Sequence, residues 1–423
     1  MYNTNKKIIG EIALDGDKSI AHRILMMASF IPETSIIYNV PNCLDVNSTK
    51  NCLKECGISI KPHFHLIPSL EVKGGTFRNP EKPLDCGNSG STLRMMLGLF
   101  AANGLTGKFI GDESLCRRPM KRIINPLIQM GVSIESNNFK LPISIESNVE
   151  KALSLNKKIN SAQVKSSLML AALAMEEYSK IPYDIDTRNH MELIYNFLDL
   201  NFRSTENIYV KKSKFKKGFR TQIPGDISNA AFLIAAVLLI PGSSIKINNV
   251  LYNKTRFGFI DLLIDMGANI KIDNIDDRHY EKMCTITAQY TKNLRGNIEI
   301  NKNNIMRMID EIPILCILAT QLEGMTVIKD AKELRIKESD RIGAVFENLF
   351  KMGCDIEEFE DGLIIKGGKK LYSTNINSFG DHRIAISFEI LNFLIEGKMT
   401  YSFEKIIDVS FPKFYEYMDH FIK

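Results

Sequence analysis

Short polar clusters recur six times along this sequence at intervals of about 70 residues, and four of them contain lysine or arginine. The clusters are Lys18–Arg23, Gly87–Arg94, Ser161–Lys165, Gly225–Asn229, Asp310–Pro313 and Gly380–Arg383. Lysine and arginine bind phosphates and carboxylates, and neighbouring hydroxyl and amide groups can add hydrogen bonds. The carboxylates Asp310, Glu338 and Asp340 accompany these basic groups, which argues for a reaction as well as binding. The residue types therefore indicate chemistry on anionic substrates.

Each cluster leads directly into an almost wholly apolar stretch, such as Ala230–Leu239 after Asn229. A stretch that is apolar on every side predicts a buried helix rather than a surface helix. A helix N-terminus has unpaired N–H groups and about half a positive charge, so several such ends pointing at one place would attract an anion. Ser, Asp and Asn can also be ordinary N-caps, the interpretation that we favour at Gly225–Asn229.

A second set of helices is predicted between the buried ones. Each ends in a leucine-rich turn, usually followed by a glycine and then a strand, and the glycines are Gly57, Gly131, Gly267 and Gly353. A glycine in this place is the usual left-handed helix cap. The segment Phe197–Phe202 fits the same place without a glycine, and Phe414–Phe421 would be the sixth helix of the set.

The predicted fold class is α/β, with six repeated units of two helices and several strands. β-Branched segments between the helices predict the strands, for example Ser35–Val40, Ser244–Ile247 and Leu363–Ile365. A period of about 70 residues exceeds that of common solenoids, so we expect closed domains. Because 423 residues are too many for one core, we predict a first domain of residues 1–16 plus 226–423 and a second of residues 17–225. We expect the active site in the cleft between them.

The composition excludes several classes of protein. A net charge of +5 is too small to indicate nucleic-acid binding, and we interpret the basic run Lys211–Lys217 as a solvated loop between strands. Residues Met1–Lys7 lead into a short strand rather than a signal-peptide core, and no apolar run is long enough to span a bilayer. We therefore expect a soluble, cytoplasmic protein without nucleic-acid or membrane partners.

The eight cysteines occur without C-x-x-C pairs, as expected of reduced cytosolic thiols. Cys52, Cys56, His63 and His65 lie close enough in sequence to suggest a zinc site. We disfavour that interpretation because the helix face that carries the two cysteines is needed for packing. We predict no metal and no cofactor.

Six segments together closely resemble the 3-phosphoshikimate 1-carboxyvinyltransferase (EPSP synthase) family over nearly the whole chain. They are Gly16–Arg23, Gly87–Gly90, Arg118–Met120, Ser161–Lys165, Arg335–Arg341 and Gly380–Arg383. One segment alone would be a weak signal, but this order and spacing are specific. The resemblance implies two similar domains, each made of three βαβαββ-type units with buried helices, which is an inside-out α/β barrel.

The resemblance also implies a reaction. Members of the family transfer the enolpyruvyl group of phosphoenolpyruvate to the 5-hydroxyl of 3-phosphoshikimate by addition and elimination. The products are 5-enolpyruvylshikimate 3-phosphate and phosphate, in the shikimate pathway of aromatic amino-acid biosynthesis. Both substrates carry a phosphate and a carboxylate, so cationic side chains must offset their mutual repulsion. We expect a monomer whose partners are these two small molecules.

Site residues follow from the same resemblance. Those implied to bind 3-phosphoshikimate are Lys18, Ser19, Arg23, Ser161, Ala162, Gln163, Arg188, Asp310 and Lys337. Those implied to bind phosphoenolpyruvate are Lys18, Gly90, Arg118, Gln163, Arg341 and Arg383. Asp310 would accept the hydroxyl proton, and Lys18 or Glu338 would protonate the methylene carbon. Because surrounding cations lower its basicity, we expect Asp310 to accept the proton only as the C–O bond forms.

Two other functions fit the sequence less well. The sister transferase that uses UDP-N-acetylglucosamine typically has Lys-Asn at the first helix head, whereas Ser19 follows Lys18 here, and Cys116 lies too close to Arg118 to match that family's reactive cysteine. A non-catalytic anion-binding or RNA-binding protein would need basic groups without the carboxylates Asp310, Glu338 and Asp340 among them.

The chain departs from the family pattern at a few positions. Asp15 stands in place of a frequent proline, and Val409 stands where some members have a lysine that contacts phosphate. The segment Arg188–Glu192 resembles the second class of the family.

Overall fold

The computed structural model describes residues 7–215, 217–397, 399–401 and 404–422 of the chain. Its strands are β1 (Ile9–Ala13), β2 (Thr34–Tyr38), β3 (Ser59–Pro62), β4 (Ser69–Lys73), β5 (Leu84–Asp85), β6 (Thr106–Ile110), β7 (Ser133–Asn137), β8 (Lys140–Glu146), β9 (Ser179–Pro182), β10 (Phe202–Ser204) and β11 (Asn207–Val210). They continue with β12 (Arg220–Gln222), β13 (Ser244–Leu251), β14 (Asn269–Asp276), β15 (Met283–Gln289), β16 (Ile298–Ile300), β17 (Gly324–Ile328), β18 (Asp355–Phe359), β19 (Gly362–Gly367), β20 (Asn375–Ile376) and β21 (Thr400–Tyr401).

Four sheets share one topology, in the orders β12-β2-β4-β3, β5-β6-β8-β7, β1-β13-β15-β14 and β16-β17-β19-β18. In each sheet the first two strands are parallel and the remaining pairs are antiparallel. A fifth sheet, β10-β11-β9, has the same antiparallel part. Its parallel neighbour is reduced to isolated bridges at Ser154 and Ile159. Strands β20 and β21 form a parallel pair. The repeated topology confirms that the chain is built from similar α/β units.

The α-helices are α1 (Lys18–Ala28), α2 (Leu44–Glu55), α3 (Gly90–Asn103), α4 (Glu113–Arg117), α5 (Lys121–Gln129), α6 (Ala162–Ala171), α7 (His190–Phe197), α8 (Ile227–Leu239), α9 (Gly258–Asp265), α10 (Lys302–Met308), α11 (Ile312–Thr320), α12 (Arg341–Lys351), α13 (His382–Asn392) and α14 (Phe414–Phe421). Short 3-10 helices span Ala172–Ala174, Lys332–Ile336 and Glu404–Val409. The sequence did not predict α4 or α10, which are short and lie outside the repeated pattern. None of the helices in the described ranges is long and apolar enough to cross a membrane.

The chain forms two compact units. Unit 1 contains the described residues of Met1–Leu14, Pro224–Asp277 and Lys282–Lys423, and unit 2 contains Asp15–Ile223 and Arg278–Glu281. In unit 2, α3 packs against α1 and α6, and in unit 1 each of α8, α11 and α13 packs against the other two. Every residue of α8 is buried, as the sequence predicted for these stretches. Such burial is the main term that stabilises each unit, at about 1.5–3 kcal/mol for a large apolar side chain.

Polar residues fix where the buried helices begin. The side chains of Asp17, Ser89, Ser161, Asp226 and Asp381 each accept a hydrogen bond from a backbone N–H in the first turn of the following helix. Capping is therefore general at these helix heads and is not confined to Asp226, where it was predicted.

The second set of helices ends as predicted. Gly57, Gly131, Gly267 and Gly353 all have positive φ, between 84° and 103°. After α7, where no glycine is present, Asp199 takes the left-handed conformation with φ 53°. The predicted sixth member is α14.

The basic run Lys211–Lys217 lies in the loop between β11 and β12, as predicted, except that Lys216 is outside the described residues. Residues Met1–Lys6, which were predicted to lead into a strand, are also outside the described residues.

Candidate active site

Lys18 is the first residue of α1, directly after the cap Asp17. Its Nζ donates to Asp45 Oδ2 of α2 over 2.7 Å, and the side chains are only 12% and 9% exposed. The ion pair fixes the ammonium group at the helix N-terminus. No local signal in the sequence marks Asp45 as its partner, because the two residues belong to different helices.

Arg23 and Arg188 extend this group of cations. Arg23 is buried, and its guanidinium donates to Ser166 Oγ over 2.9 Å and to the Ser19 carbonyl over 2.7 Å. It therefore joins the start of α1 to α6. Arg188, which lies before α7, places Nη1 3.4 Å from Ser19 Oγ. Ser19 thus contacts both arginines that were predicted with it.

Gly90 is the first residue of α3, and Gln163 is the second residue of α6. Gln163 donates through Nε2 to Ser91 Oγ over 2.8 Å and accepts from Arg94 Nη1 over 2.8 Å. A Cβ on Gly90 would lie 2.5 Å from Arg94 Nη1 and 3.3 Å from Arg118 Nη1. The absence of a side chain at Gly90 thus lets two guanidinium groups approach the start of α3. Ser161 caps α6, and Ala162 is its first residue.

Arg118 follows α4 and is 6% exposed. Its guanidinium donates to the Asn88 carbonyl over 3.1 Å, to Asn88 Oδ1 over 2.6 Å and to Ser114 Oγ over 3.0 Å. Its Nε is buried and has no hydrogen-bond partner in the described part of the chain. The planar group is therefore held in one orientation beside the start of α3. Within unit 2, the structure brings the predicted residues to the starts of α1, α3 and α6.

Lys165 differs from the expectation that the lysines and arginines of the polar clusters bind anions. It is fully buried in α6, forms an ion pair with Glu192 and lies 4.9 Å from the centre of the Tyr183 ring. Burial lowers the pKa of Lys165, and Glu192 offsets part of that effect. The lysine therefore stabilises the interior of unit 2 instead of facing an anion.

In unit 1, Arg341 is surrounded by carboxylates. Its Nε lies 2.8 Å from Asp381 Oδ2, Nη1 lies 3.1 Å from Asp310 Oδ1, and Nη2 lies 2.6 Å from Glu338 Oε2. Burial disfavours the guanidinium charge, but the attraction of Asp381, Glu338 and Asp310 outweighs it and raises the pKa of Arg341. Arg341 therefore stays charged and links three acidic side chains.

Arg383 completes the group in unit 1. Its guanidinium donates to the Asp310 carbonyl over 3.1 Å and lies 3.5 Å from Asp310 Oδ2. The Asp310 carboxylate, 14% exposed, therefore lies between two arginines. Lys337 is half-buried and directly precedes Glu338. Sequence reasoning treated Asp381 only as part of a motif and missed its bond to Arg341, and it missed Asn88 as the partner of Arg118.

Residues 2–418 match the family model of EPSP synthase (3-phosphoshikimate 1-carboxyvinyltransferase). The chain is 37% identical to a 3-phosphoshikimate 1-carboxyvinyltransferase of Persephonella marina, over 98% of each chain. It is 41% identical to the enzyme of the same name from Thermodesulfovibrio yellowstonii, over 98% of this chain and 97% of that one. Among solved structures, an EPSP synthase from Acinetobacter baumannii is similar with a TM-score of 0.85 and 30% identity, over 100% of this chain and 98% of that one.

Proposed function

We propose that this chain, which belongs to the EPSP synthase family, is a transferase that moves the enolpyruvyl group of phosphoenolpyruvate to the 5-hydroxyl of 3-phosphoshikimate. The products are 5-enolpyruvylshikimate 3-phosphate and phosphate, in the shikimate pathway of aromatic amino-acid biosynthesis. The match of residues 2–418 to the family model is the observation that carries this proposal.

Residues of unit 2 are proposed to bind both anions. We propose that 3-phosphoshikimate is bound by Lys18, Ser19, Arg23, Ser161, Ala162, Gln163 and Arg188. Phosphoenolpyruvate would be bound by Lys18, Gly90, Arg118 and Gln163. The hydrogen bonds that fix Arg23 and Arg118 support these roles, because a guanidinium held in one orientation loses little entropy when it binds a phosphate or carboxylate.

Residues of unit 1 are proposed to contribute cations and proton transfer. Arg341 and Arg383 would bind phosphoenolpyruvate, and Asp310 and Lys337 would bind 3-phosphoshikimate. The contacts of Asp310 with Arg341 and Arg383 support its role as an oriented carboxylate. Those arginines lower the basicity of Asp310, so it would accept the proton only as the new bond forms.

In the addition step, the 5-hydroxyl oxygen bonds to C2 of phosphoenolpyruvate while Asp310 takes the hydroxyl proton. The methylene carbon, C3, gains a proton from Lys18 or Glu338, and a tetrahedral adduct results. In the elimination step, C3 returns a proton to the group that supplied it, Lys18 or Glu338. The bond between C2 and the phosphate oxygen breaks as the proton held by Asp310 passes to the departing phosphate. Arg118, Arg341 and Arg383 would stabilise the negative charge that develops on the departing phosphate.

The direct test is release of inorganic phosphate by the purified full chain. It should require phosphoenolpyruvate and 3-phosphoshikimate together and should give equal amounts of phosphate and 5-enolpyruvylshikimate 3-phosphate. UDP-N-acetylglucosamine is the matched control acceptor. Release of phosphate from phosphoenolpyruvate with this acceptor, but not with 3-phosphoshikimate, would overturn the proposal. Retention on RNA at physiological salt, with no turnover of the two substrates, would also contradict it.

Three further expectations stay predictions. They are the division into residues 1–16 with 226–423 and residues 17–225, the monomeric state, and the cytoplasmic location. Size-exclusion chromatography with light scattering checks the second, because a mass near 47.9 kDa would indicate one chain. Cell fractionation checks the third.

A further inference from the structure

Four residues between β14 and β15, Arg278–Glu281, belong to unit 2 although both strands belong to unit 1. We call these four residues the strap. Two adjacent strap residues contact opposite ends of α7. Glu281 Oε1 lies 2.6 Å from Nδ1 of His190, the first residue of the helix. The Tyr280 ring stacks on Phe197, the last residue, with ring centres 5.3 Å apart and an angle of 28°. The strap therefore fixes the whole length of this short helix.

The contact at the start of α7 is deeply buried. The side chains of Glu281 and His190 are both 0% exposed, and the hydroxyl of Tyr280 is also buried. A carboxyl group at this depth requires close polar partners, and His190 is one such partner of Glu281. Movement of His190 away from Glu281 would therefore break a 2.6 Å polar contact between two wholly buried side chains. The pair therefore restrains the backbone where the helix begins.

Arg188 lies two residues before His190, in a segment held on both sides. On the N-terminal side, Lys165 Nζ donates to the Thr187 carbonyl over 3.3 Å. On the C-terminal side, Glu281 holds His190. Thr187 and His190 are buried, whereas Arg188 is only half-buried and reaches Ser19 Oγ. The buried neighbours therefore restrict the position of the Arg188 backbone, from which the side chain extends towards Ser19.

We propose that Glu281 is a positioning residue for Arg188, acting through His190 to hold the guanidinium beside Ser19. The inference rests on the proposed function, in which Arg188 and Ser19 bind 3-phosphoshikimate. When Glu281 is removed, the start of α7 samples more conformations, and the substrate must then select the one that places Arg188 correctly. Phosphoenolpyruvate is not proposed to contact Arg188, so its binding should change little.

The test compares Glu281→Ala with Asp277→Asn in the full chain. Asp277 is a matched control because its carboxylate lies in the same connection between β14 and β15 but is 73% exposed. Its ion pair is long, with Oδ2 3.9 Å from Lys282 Nζ. We expect Glu281→Ala to raise the Kd and KM for 3-phosphoshikimate about tenfold, with the KM for phosphoenolpyruvate and kcat within about twofold. Glu281→Gln, which can still hydrogen-bond His190, should recover most of the affinity. Equal losses for both substrates, or no loss for 3-phosphoshikimate, would overturn the proposal.

A double-mutant cycle separates positioning from general destabilisation. If Glu281 acts through Arg188, then Glu281→Ala should weaken 3-phosphoshikimate binding far less when Arg188 is already alanine. Additive effects would contradict the proposal. If Glu281→Ala does not fold, Glu281→Met, which fills similar space but cannot hydrogen-bond His190 as the carboxyl group does, is carried through the same cycle with the same expectation.

Hydrogen exchange gives a readout that does not depend on the reaction. Amides at the start of α7 should exchange faster in Glu281→Ala than in the unaltered chain, and Asp277→Asn should leave them unchanged. If the unaltered chain does not turn over, the proposed function fails, while faster exchange would still support the role of Glu281 in holding the Arg188 segment. Unchanged exchange would reject that role whether or not the chain is active.

Discussion

Arg341 Nε donates to Asp381 Oδ2 over 2.8 Å, and both side chains are buried. Asp381 also accepts from the Arg383 backbone N–H over 2.9 Å at the start of α13 and from Ser339 Oγ over 3.2 Å. One carboxylate therefore fixes a helix start and two neighbouring side chains. Asp381 binds Nε of Arg341, while Asp310 and Glu338 bind its two terminal nitrogens, so Asp381 contributes to the orientation of the guanidinium.

Replacing Asp381 by Asn should lower the free energy of unfolding by about 3 kcal/mol, because it removes one charge of a buried ion pair and weakens a helix cap. Urea unfolding monitored by circular dichroism measures the change. The control is Glu360→Gln, whose carboxylate pairs with Lys332 but is 77% exposed. That change should leave the free energy of unfolding almost unchanged, because water screens an exposed ion pair. Similar losses in the two variants would contradict the importance of burial.

Arg118→Lys should raise the KM for phosphoenolpyruvate by about 10- to 100-fold, because lysine keeps the charge but loses the planar set of donors that Asn88 and Ser114 orient. Steady-state kinetics at saturating 3-phosphoshikimate measures it. The neighbouring Arg117 is 63% exposed and pairs with Glu113, so Arg117→Lys is a matched control that should leave the KM unchanged. An equal effect at both positions would reject the proposed role of Arg118.

Asp310→Asn should lower kcat by about 10²- to 10⁴-fold while leaving the Kd of 3-phosphoshikimate within a few-fold, because the amide keeps the shape but cannot accept the hydroxyl proton. Single-turnover kinetics and equilibrium binding measure the two quantities. Asp355→Asn is the control in unit 1, since its carboxylate pairs at the surface with Lys369. Survival of turnover in Asp310→Asn would show that another group accepts the proton.

Gly90→Ala should raise the KM for phosphoenolpyruvate about tenfold with little loss of stability. The new methyl group would displace Arg94 Nη1, the flexible end of a side chain, and would narrow the space at the start of α3. Gly104→Ala should behave in the opposite way. Nothing lies within 4 Å of its Cβ, but its φ of +64° strains an alanine, so we expect a loss of about 1 kcal/mol in stability and an unchanged KM. An unchanged KM for phosphoenolpyruvate in Gly90→Ala would contradict the idea that binding requires the space left by a glycine at the start of α3.

The stability of the protein should depend on pH through His22. Burial, and then the charges of Lys18 and Arg23, hold the pKa of His22 well below its ordinary value of 6.5. The unfolded chain therefore binds a proton below pH 6.5 that the native chain does not, so the free energy of unfolding falls as the pH is lowered. The contribution approaches about 1.4 kcal/mol per pH unit until the native pKa is reached.

Urea unfolding at several pH values below 6.5 tests this with His22→Gln, which should show a shallower pH dependence than the unaltered chain. The control is His65→Gln, which makes the same replacement at an exposed position. Parallel curves for His22→Gln and the unaltered chain would show that the titration of His22 does not contribute.

The sequence predicted the parts of the fold that local pattern determines. Continuous apolar stretches identified the buried helices, as in Ile227–Leu239, and a helix ending at glycine identified turns such as the one at Gly57. The contacts between distant residues were not predictable, because periodicity carries no information about which elements pack together. Lys18 with Asp45 and Glu281 with His190 are examples. Lys165 shows the same limit, since only tertiary packing places it beside Glu192.

Strand β1 pairs in parallel with β13, from Ile9 opposite Ser244 to Ala13 opposite Asn248. The residues Asp15–Ile223 of unit 2 lie between these two strands in the chain. On the ribosome, β1 emerges first and β13 only after nearly all of unit 2 has been translated. The sheet β1-β13-β15-β14 can therefore be completed only after nearly all of unit 2 has been synthesised.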